Sequence, residues 1–365
     1  MQRRLQRLRD VLHTEQLDGL LVTNSANRRY LSGFTGSAGS LLVTVDRALL
    51  VSDFRYREQA LFEAPAFEVQ LLPSGVPLAK HLSMLLDELQ VGRLGLEAGH
   101  VTVADYAEWQ NELTSTKIST VLTPTQGLVE QLRQTKDAGE QAVLRRAVAI
   151  TDEALAAVRS LLRPTMRERE VAWELEKAMR ERGADGTAFE IIVASGANAA
   201  KPHARAGDEQ LGIGRPIVID CGARLDGYHA DMTRTLMLGE PDEQFWSVYN
   251  TVLDAQQNAA AAIRAGMTGQ QADALARERI TAAGFGEAFG HGLGHGVGLA
   301  IHEGPWLRQT SSDTLPVGVV CSIEPGIYLP GWGGVRIEDL VLLTDTGVDV
   351  LTQSDKHPVV NWQNN

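Results

Sequence analysis

The chain lacks any long apolar segment. It has 365 residues, of which 44% are hydrophobic, yet no stretch approaches the roughly 20 uninterrupted apolar residues that a membrane-spanning helix requires. The basic N-terminus has no apolar core and no small-residue cleavage site before the strand-like GLLVT. We therefore predict that the chain has no membrane partner, resides in the cytoplasm and begins with an amphipathic helix.

Cysteine and positive charge are also scarce. Cys221 and Cys321 do not have the spacing of a zinc site, and there are no further cysteines to form a disulfide framework. We therefore predict that both are small buried residues in a reducing compartment. The formal net charge is −12, from 46 acidic and 34 basic residues. An acidic chain without a basic patch is a poor partner for nucleic acid.

The first 124 residues alternate between strand and helix patterns, which predicts an α/β domain over residues 1–124. We predict residues 125–136 to be a linker or a linking helix. The predicted strands are Leu20–Thr23, Leu41–Val45, Ala48–Ser52, Phe67–Leu72, Leu94–Leu96 and Ser119–Pro124, and the predicted helices are Pro77–Gln90 and Val103–Leu113.

Residues 137–365 repeat one layout. Asp137 with Glu140 predicts a capping box at the start of a long helix, and Thr165 with Glu168 predicts the start of a second helix. The same order of long helix, break and second helix then returns. Three residue pairs share an offset of 101, namely Arg163/Arg264, Met166/Met267 and Gly183/Gly284. We predict an α+β domain of two pseudo-symmetric halves, in which a site between the halves would draw residues from both.

Two aspartates fall in the stretch RPIVIDCGARLDGYHADMTRT, which predicts a β-hairpin turning near Asp226-Gly227. Asp220 and Asp231 are an odd number of residues apart, so a two-residue turn places both side chains on one face of the hairpin. Two carboxylates on one apolar face repel each other, which favours a cation between them.

Three histidines lie close together in FGHGLGHGVGLAIHEGP. The interleaved glycines argue against a helix, and an extended or looped segment places His291 and His295 on one side with His302 following. Three of the nine histidines within so short a segment favour a functional cluster. His203, alone in KPHARAGDEQL, is by pattern an ordinary loop histidine.

Two further carboxylates follow apolar strand patterns. Glu324 lies in VVCSIEPGIY, at the end of an apolar strand pattern that stops at Pro325-Gly326, where an unpaired charge would be costly. Arg336 and Glu338 alternate with apolar residues in GGVRIEDLVLL and should share a face, although a surface ion pair is the alternative. Four carboxylates and an imidazole are the ligands that two adjacent divalent cations need, so the sequence predicts a two-metal hydrolase if they converge.

The strings IDCG, DGYHADMTRT, HGLGHGVGL–IHE, SIEPGIY and VRIED occur in that order, with RYLSGFTGSAG and LRQTKDAGEQAVLRRA before them. Together they resemble the pita-bread metallopeptidases, and among them the Xaa-Pro peptidases, aminopeptidase P and prolidase. The resemblance covers essentially the whole chain. It implies a creatinase-like α/β N-terminal domain that limits substrate length, a pseudo-symmetric α+β pita-bread catalytic domain over residues 137–365, and a homodimer.

The resemblance also implies a role for each site residue. Two metal ions, manganese first and cobalt or zinc as alternatives, would be held by Asp220, Asp231, His295, Glu324 and Glu338, with Asp231 and Glu338 bridging. Glu324 would be the general base. The catalytic and substrate-binding residues would be His203 and His302 at the scissile carbonyl, His291 at the proline pocket and Arg336 as a carboxylate partner.

Several substrates are compatible with this resemblance. GFTGSAG favours aminopeptidase P, which removes the first residue from peptides with proline at the second position. Prolidase, restricted to dipeptides, needs a cation for the free carboxylate, and Arg28, Arg29, Arg47, Arg55 and Arg57 are candidates. A non-catalytic peptide-binding homologue and a metal-free creatinase-type hydrolase are less consistent with an intact ligand set.

Overall fold

The computed structural model describes residues 1–362, and the chain forms two compact units that divide between Arg133 and Gln134. Within residues 1–362, every helix is too short or too polar to cross a lipid bilayer.

The first unit is built on a mixed six-stranded sheet. Its strands are β1 Gly19–Val22, β2 Ser40–Thr44, β3 Ala48–Ser52, β4 Glu68–Leu71, β5 Arg93–Glu97 and β6 Val121–Thr125, and its helices are α1 Gln2–Thr14, α2 Ser25–Ser32, α3 Arg57–Glu63, α4 Leu78–Glu88, α5 Val103–Thr116 and α6 Leu128–Gln134. The strand order is β4-β3-β2-β1-β5-β6. Strand β1 is buried throughout, as expected for an apolar run between two layers. Every strand and helix predicted here is present, with ends shifted by at most three residues.

The first unit continues past residue 124, where the sequence predicted its boundary. Helix α6 lies in the segment predicted to be a linker or a linking helix, and it buries Leu128, Val129 and Leu132. The Nδ2 atom of Asn27 in α2 donates to Glu130, and the Asn27 Oδ1 atom accepts from Arg133, both at 2.7 Å. These contacts bind α6 to the first unit, and the turn signals of the sequence gave no sign of them.

The second unit contains two helix pairs and two larger sheets. Its helices are α7 Ala138–Arg159, α8 Glu168–Glu181, α9 Glu243–Ala262 and α10 Gly269–Ala282. Its strands are β7 Gly186–Thr187, β8 Ile192–Ser195, β9 Pro216–Cys221, β10 Ala223–Leu225, β11 Tyr228–His229, β12 Met232–Leu238, β13 Gly294–Gly296, β14 Glu303–Leu307, β15 Val320–Ile323, β16 Gly326–Leu329, β17 Gly333–Arg336, β18 Asp339–Leu343, β19 Val348–Val350 and β20 Val359–Val360. The larger sheets have the orders β20-β12-β9-β8 and β14-β13-β15-β18-β19.

The two halves of this unit are related in detail. Helix α8 starts after Arg167, and α10 starts after Thr268 at the same offset of 101 residues. Each of these N-cap residues forms an isolated bridge to an extended segment, Arg167 to Gln210 and Thr268 to Thr314. The pseudo-symmetry predicted from the sequence is therefore present.

The predicted start of α8 at Thr165 was two residues too early, because the N-cap residue is Arg167. Thr165 and Glu168 do not form a capping box, and the backbone N–H of Arg167 donates to Glu170 instead. Glu168 is buried and accepts hydrogen bonds from the backbone N–H groups of Ser195 and Gly207. Burial of this carboxylate in the loop network outweighs its capping preference.

The core of the second unit explains how its strands present polar groups on the other side. Cys321 and Ile323 of β15 join Val341 of β18 in the apolar core under α9 and α10. Because side chains alternate along a strand, Ser322 points the other way, toward His295 and Glu324. This face of the sheet carries part of the candidate site.

Candidate metal centre and active site

A cleft of about 670 Å³ in the second unit collects every site residue predicted from the sequence. Both halves contribute to it, as the pseudo-symmetry suggested. The predicted residues that line the cleft are His203, Asp220, Asp231, His291, His295, His302, Glu324, Arg336 and Glu338.

The hairpin that carries the two aspartates has the predicted register. It turns at Asp226 and Gly227, both with positive φ, and the pairing continues to Thr233 opposite Asp220. Asp231 therefore lies diagonal to Asp220 on the same face, and the ligand atoms of these two and of Glu338 all lie within 4.8 Å of one another. A Cβ on Gly222 would lie 1.8 Å from a carbonyl oxygen of the partner strand, so this close crossing needs glycine.

His295 and Glu324 form the second part of the cluster. The His295 Nε2 atom lies 3.3 Å from Glu324 Oε1 and 3.6 Å from Asp231 Oδ2. Its Nδ1 atom faces the Gly296 carbonyl at 3.1 Å, which directs Nε2 toward the carboxylates. Burial raises the pKa of Glu324, but the hydrogen bond and charge of His295 outweigh burial and lower that pKa to about 2. The same pairing with Glu324 outweighs burial at His295 and raises its pKa.

Glu338 and Arg336 lie where the chain passes from one sheet to another. Arg336 ends β17 and Glu338 immediately precedes β18, so the pair does not lie on one continuous strand as predicted. Arg336 Nη2 donates to Asp220 Oδ2 at 2.6 Å and its Nε donates to Thr233 Oγ1 at 2.9 Å. The Thr233 hydroxyl in turn donates to Glu338 Oε2 at 2.7 Å. Arg336 is thus a buried counter-ion of the cluster, not a surface ion pair.

The residues present fit divalent cations. Burial raises the pKa of Asp220, Asp231 and Glu338, with neighbouring carboxylates adding to the increase and Arg336 opposing it. Asp220 Oδ1 and Glu338 Oε1 are buried, and neither accepts a hydrogen bond from the residues that the structure describes. Unsatisfied buried carboxylate oxygens beside an imidazole are the donor set that hard divalent metals prefer.

The repulsion among these buried carboxylates predicts that the stability of the metal-free protein depends on pH. Asp220, Asp231 and Glu338 have raised pKa values, so between the ordinary and the raised pKa the folded state binds more protons than the unfolded state. The free energy of unfolding should therefore fall as pH rises from about 5 to about 8, with the raised pKa of His295 acting in the same direction and the lowered pKa values of His291 and His302 opposing the fall below about pH 6.5.

Thermal unfolding with a chelator across this pH range tests that expectation. Saturating Mn²⁺ should raise the Tm most at the upper end of the range, because bound cations neutralise the carboxylates. The variant Glu338→Gln should flatten the pH dependence of the metal-free protein. A metal-free Tm that rises with pH would contradict this description of the cluster.

Several contributing residues were missed by sequence reasoning. Thr233 and Ser322 lie two residues from Asp231 and Glu324, so strand alternation would have placed them on the ligand side. Tyr328 joins Arg336 to His291, since its hydroxyl accepts from Arg336 Nη1 at 2.9 Å and lies 3.0 Å from His291 Nε2. The string SIEPGIY carried no signal for that contact, which depends on the pairing of β16 with β17.

The remaining histidines also line the cleft. The ring of His302 meets that of His295 edge to face, with centroids 4.5 Å apart, and the ring of His291 contacts Phe289 and Tyr328. Burial lowers the pKa of His291 and of His302, which favours neutral imidazoles. His203 lies in an exposed position in the wall of the same cleft, so it belongs to the cluster, although its sequence pattern was that of an ordinary loop residue.

Comparison with known proteins places this geometry in a family. Residues 4–135 match the Creatinase/Prolidase N-terminal domain, and residues 142–345 match Metallopeptidase family M24. An Xaa-Pro dipeptidase of Pyrococcus furiosus is 35% identical, over 98% of this chain and 99% of that protein.

Two solved structures are similar along nearly their whole length. An Xaa-Pro dipeptidase from Bacillus anthracis has a TM-score of 0.94 and 41% identity, over 98% of this chain and 99% of the other. An X-Pro aminopeptidase from Thermotoga maritima has a TM-score of 0.87 and 37% identity, over 94% of this chain and 98% of the other. The predicted fold class, a creatinase-like domain followed by a pita-bread catalytic domain, is confirmed. The chain belongs to Metallopeptidase family M24 and is a metallopeptidase with a creatinase/prolidase N-terminal domain.

Proposed function

We propose that the chain is an Xaa-Pro dipeptidase, which hydrolyses the bond between a first residue and a C-terminal proline. The similarity to dipeptidases of Pyrococcus furiosus and Bacillus anthracis supports this choice over aminopeptidase P, the activity that GFTGSAG favoured. Aminopeptidase P is the second candidate, because the Thermotoga maritima X-Pro aminopeptidase is 37% identical.

The observation that carries the hydrolytic proposal is the buried ligand cluster itself. Two divalent cations would be held by Asp220, Asp231, His295, Glu324 and Glu338, with the close trio of Asp220, Asp231 and Glu338 at the centre. When bound, they would supply a water of lowered pKa and polarise the scissile carbonyl. Manganese is our first expectation for the metal, and a homodimer for the assembly.

The protein's own groups complete the chemistry. Glu324, held ionised by His295 and Ser322, is placed to accept a proton and pass it to the leaving proline nitrogen. His203 and His302, on the cleft wall, would donate hydrogen bonds to the carbonyl oxygen as negative charge develops there. His291, fixed by the Tyr328 hydroxyl, offers a flat ring against which a proline ring packs.

A dipeptide also carries a free carboxylate that needs a cation. The N-terminal candidates Arg28, Arg47 and Arg55 are engaged within the first unit, with carbonyls of residues 36 and 39, with Glu68 and with Asp53 respectively. Besides Arg336, which binds Asp220, two arginines line the cleft of the catalytic unit itself, Arg205 and Arg308. Arg308 is the better held, because its guanidinium lies 5.4 Å from the centre of the Trp306 ring.

The test compares an Xaa-Pro dipeptide with the corresponding Xaa-Pro-Yaa tripeptide, with Mn²⁺ added to the purified protein. We expect the dipeptide to be cleaved with a kcat/KM at least about tenfold higher, since a bidentate carboxylate contact is made only by the dipeptide. Preferential cleavage of the tripeptide would favour aminopeptidase P. Cleavage of neither peptide would contradict the proposed function.

A further inference from the structure

A buried ion pair includes Glu303, the residue that follows the proposed substrate-binding residue His302 in the chain. Lys136 Nζ is 2.8 Å from Glu303 Oε1, and the two side chains are 1% and 5% exposed. We propose that this pair positions His302 for catalysis, an inference that rests on the proposed function for the role of His302. A buried ion pair is weak evidence for a role in stability, because apolar residues of similar volume often stabilise a protein equally well. The position of this pair next to a cleft residue therefore favours another role.

The backbone around Lys136 is held in place by hydrogen bonds. Its backbone N–H donates to the Gly318 carbonyl at 2.9 Å, and its own carbonyl accepts from Gln141 Nε2 at 2.9 Å. The preceding residue, Thr135, forms an isolated bridge to Val319, which immediately precedes β15. The ammonium group also donates to the Gln134 carbonyl at 3.1 Å. The lysine is therefore an immobile anchor for the carboxylate it binds.

The carboxylate of Glu303 lies close to the backbone of the segment 298–303. Its Oε2 atom faces the backbone N–H of Ala300 at 3.4 Å. A Cβ on Gly298 would lie 2.5 Å from Glu303 Oε1, so a side chain at this position would displace the carboxylate. The N–H of Gly298 donates to the Ala300 carbonyl at 3.0 Å, which closes the bend.

His302 depends on that bend for its direction. It immediately precedes Glu303 and lies outside any strand, and its ring meets His295 edge to face. Fixing Glu303 therefore fixes the backbone from which the imidazole extends. A displacement of about 1 Å in a group that acts on the transition state costs on the order of 100-fold in rate. Lys136 and Glu303 are thus positioning residues that act through His302.

The double variant Lys136→Met/Glu303→Leu tests this role. It removes both charges at once, because a single substitution would leave an unpaired buried charge and risk unfolding. We expect kcat on the dipeptide to fall about 100-fold with KM changed less than about threefold. Introduced into His302→Ala, the same double change should lower kcat by less than about twofold, since the residue it positions is gone.

Hydrogen–deuterium exchange gives a readout that does not need activity. In the metal-free double variant, exchange should rise in peptides covering residues 297–303 and stay unchanged around β9 and β12. The control is Arg145→Met/Asp349→Leu, which removes an ion pair that is about half exposed and outside the cleft lining, and which should change neither kcat nor exchange at residues 297–303.

The outcomes separate this proposal from the proposed function. Unchanged exchange at residues 297–303 would overturn it, as would an equal loss of kcat in the His302→Ala background. If the unsubstituted protein cleaves no Xaa-Pro dipeptide, the proposed function fails, while the exchange measurement still decides whether the ion pair holds the segment.

Discussion

Glu324→Ala is expected to lose its bound metal and about 10³–10⁴-fold in kcat together, a loss in the range of a general acid–base residue. Glu324 is the one carboxylate of the cluster whose pKa is lowered, to about 2, through its contact with His295, so it is ionised at neutral pH. Removing it also leaves His295 without its 3.3 Å partner and takes one ligand from the cations.

A matched control for this variant exists in the same cleft. Glu190→Ala removes another carboxylate from the lining, but Glu190 has a side chain that is 74% exposed and lies outside the ligand cluster. Metal content by plasma mass spectrometry and kcat on an Xaa-Pro dipeptide should both be preserved in this control. Near-normal turnover by Glu324→Ala would refute its assignment as base and ligand.

Arg336→Met should lower the free energy of unfolding of the metal-free protein by about 3–5 kcal/mol, the cost of removing one partner of a buried ion pair. Arg336 is 3% exposed, and its guanidinium donates to Asp220, Thr233 and the Tyr328 hydroxyl. Without it, three crowded carboxylates lose their nearest permanent cation. The loss should be smaller in saturating Mn²⁺, because the metal ions then neutralise the same charges.

Urea unfolding with and without Mn²⁺ measures this difference. Arg145→Met is the control, since its partner Asp349 and Arg145 itself are each nearly half exposed, and such pairs contribute about 0–1 kcal/mol. An Arg336→Met protein whose destabilisation is the same with and without metal would show that Arg336 supports the fold rather than the charge balance of the site.

Local rules of the sequence were sufficient for much of the site. The odd spacing of Asp220 and Asp231, with a two-residue turn at Asp226-Gly227, fixed their common face, and the structure has that register. The glycines around His295 correctly excluded a helix, and β13 is a short strand there. The offset of 101 residues anticipated the matched starts of α8 and α10.

Long-range contacts were beyond such rules. The chain changes sheets between Arg336 and Glu338, and no alternation pattern records that change. The role of Thr233 as a link between Arg336 and Glu338 depends on β12 lying beside this crossing. The sequence did not show that α6 packs with the first unit, because α6 is held by Asn27, a residue far away in the sequence.

The motif strings were also insufficient to choose between the two candidate substrates. A short string, GFTGSAG, favoured aminopeptidase P, whereas similarity over nearly the entire chain supports a dipeptidase. The proposed catalytic cluster would serve either activity, because both activities cleave the bond before proline. What separates them is recognition of a free carboxylate, for which we propose side chains such as Arg308, which lines the cleft but lies outside the motif strings.

The most direct test of the central claim is a titration of the metal-free protein with Mn²⁺ in which bound metal and hydrolysis of an Xaa-Pro dipeptide are measured in the same samples. The cluster predicts about two ions per chain at saturation and hydrolysis that appears only as they bind. Glu338→Gln, which alters a ligand of the central trio, should bind fewer ions and be inactive. Undiminished hydrolysis by the fully chelated protein, or saturation with metal without any hydrolysis, would contradict a two-metal Xaa-Pro peptidase.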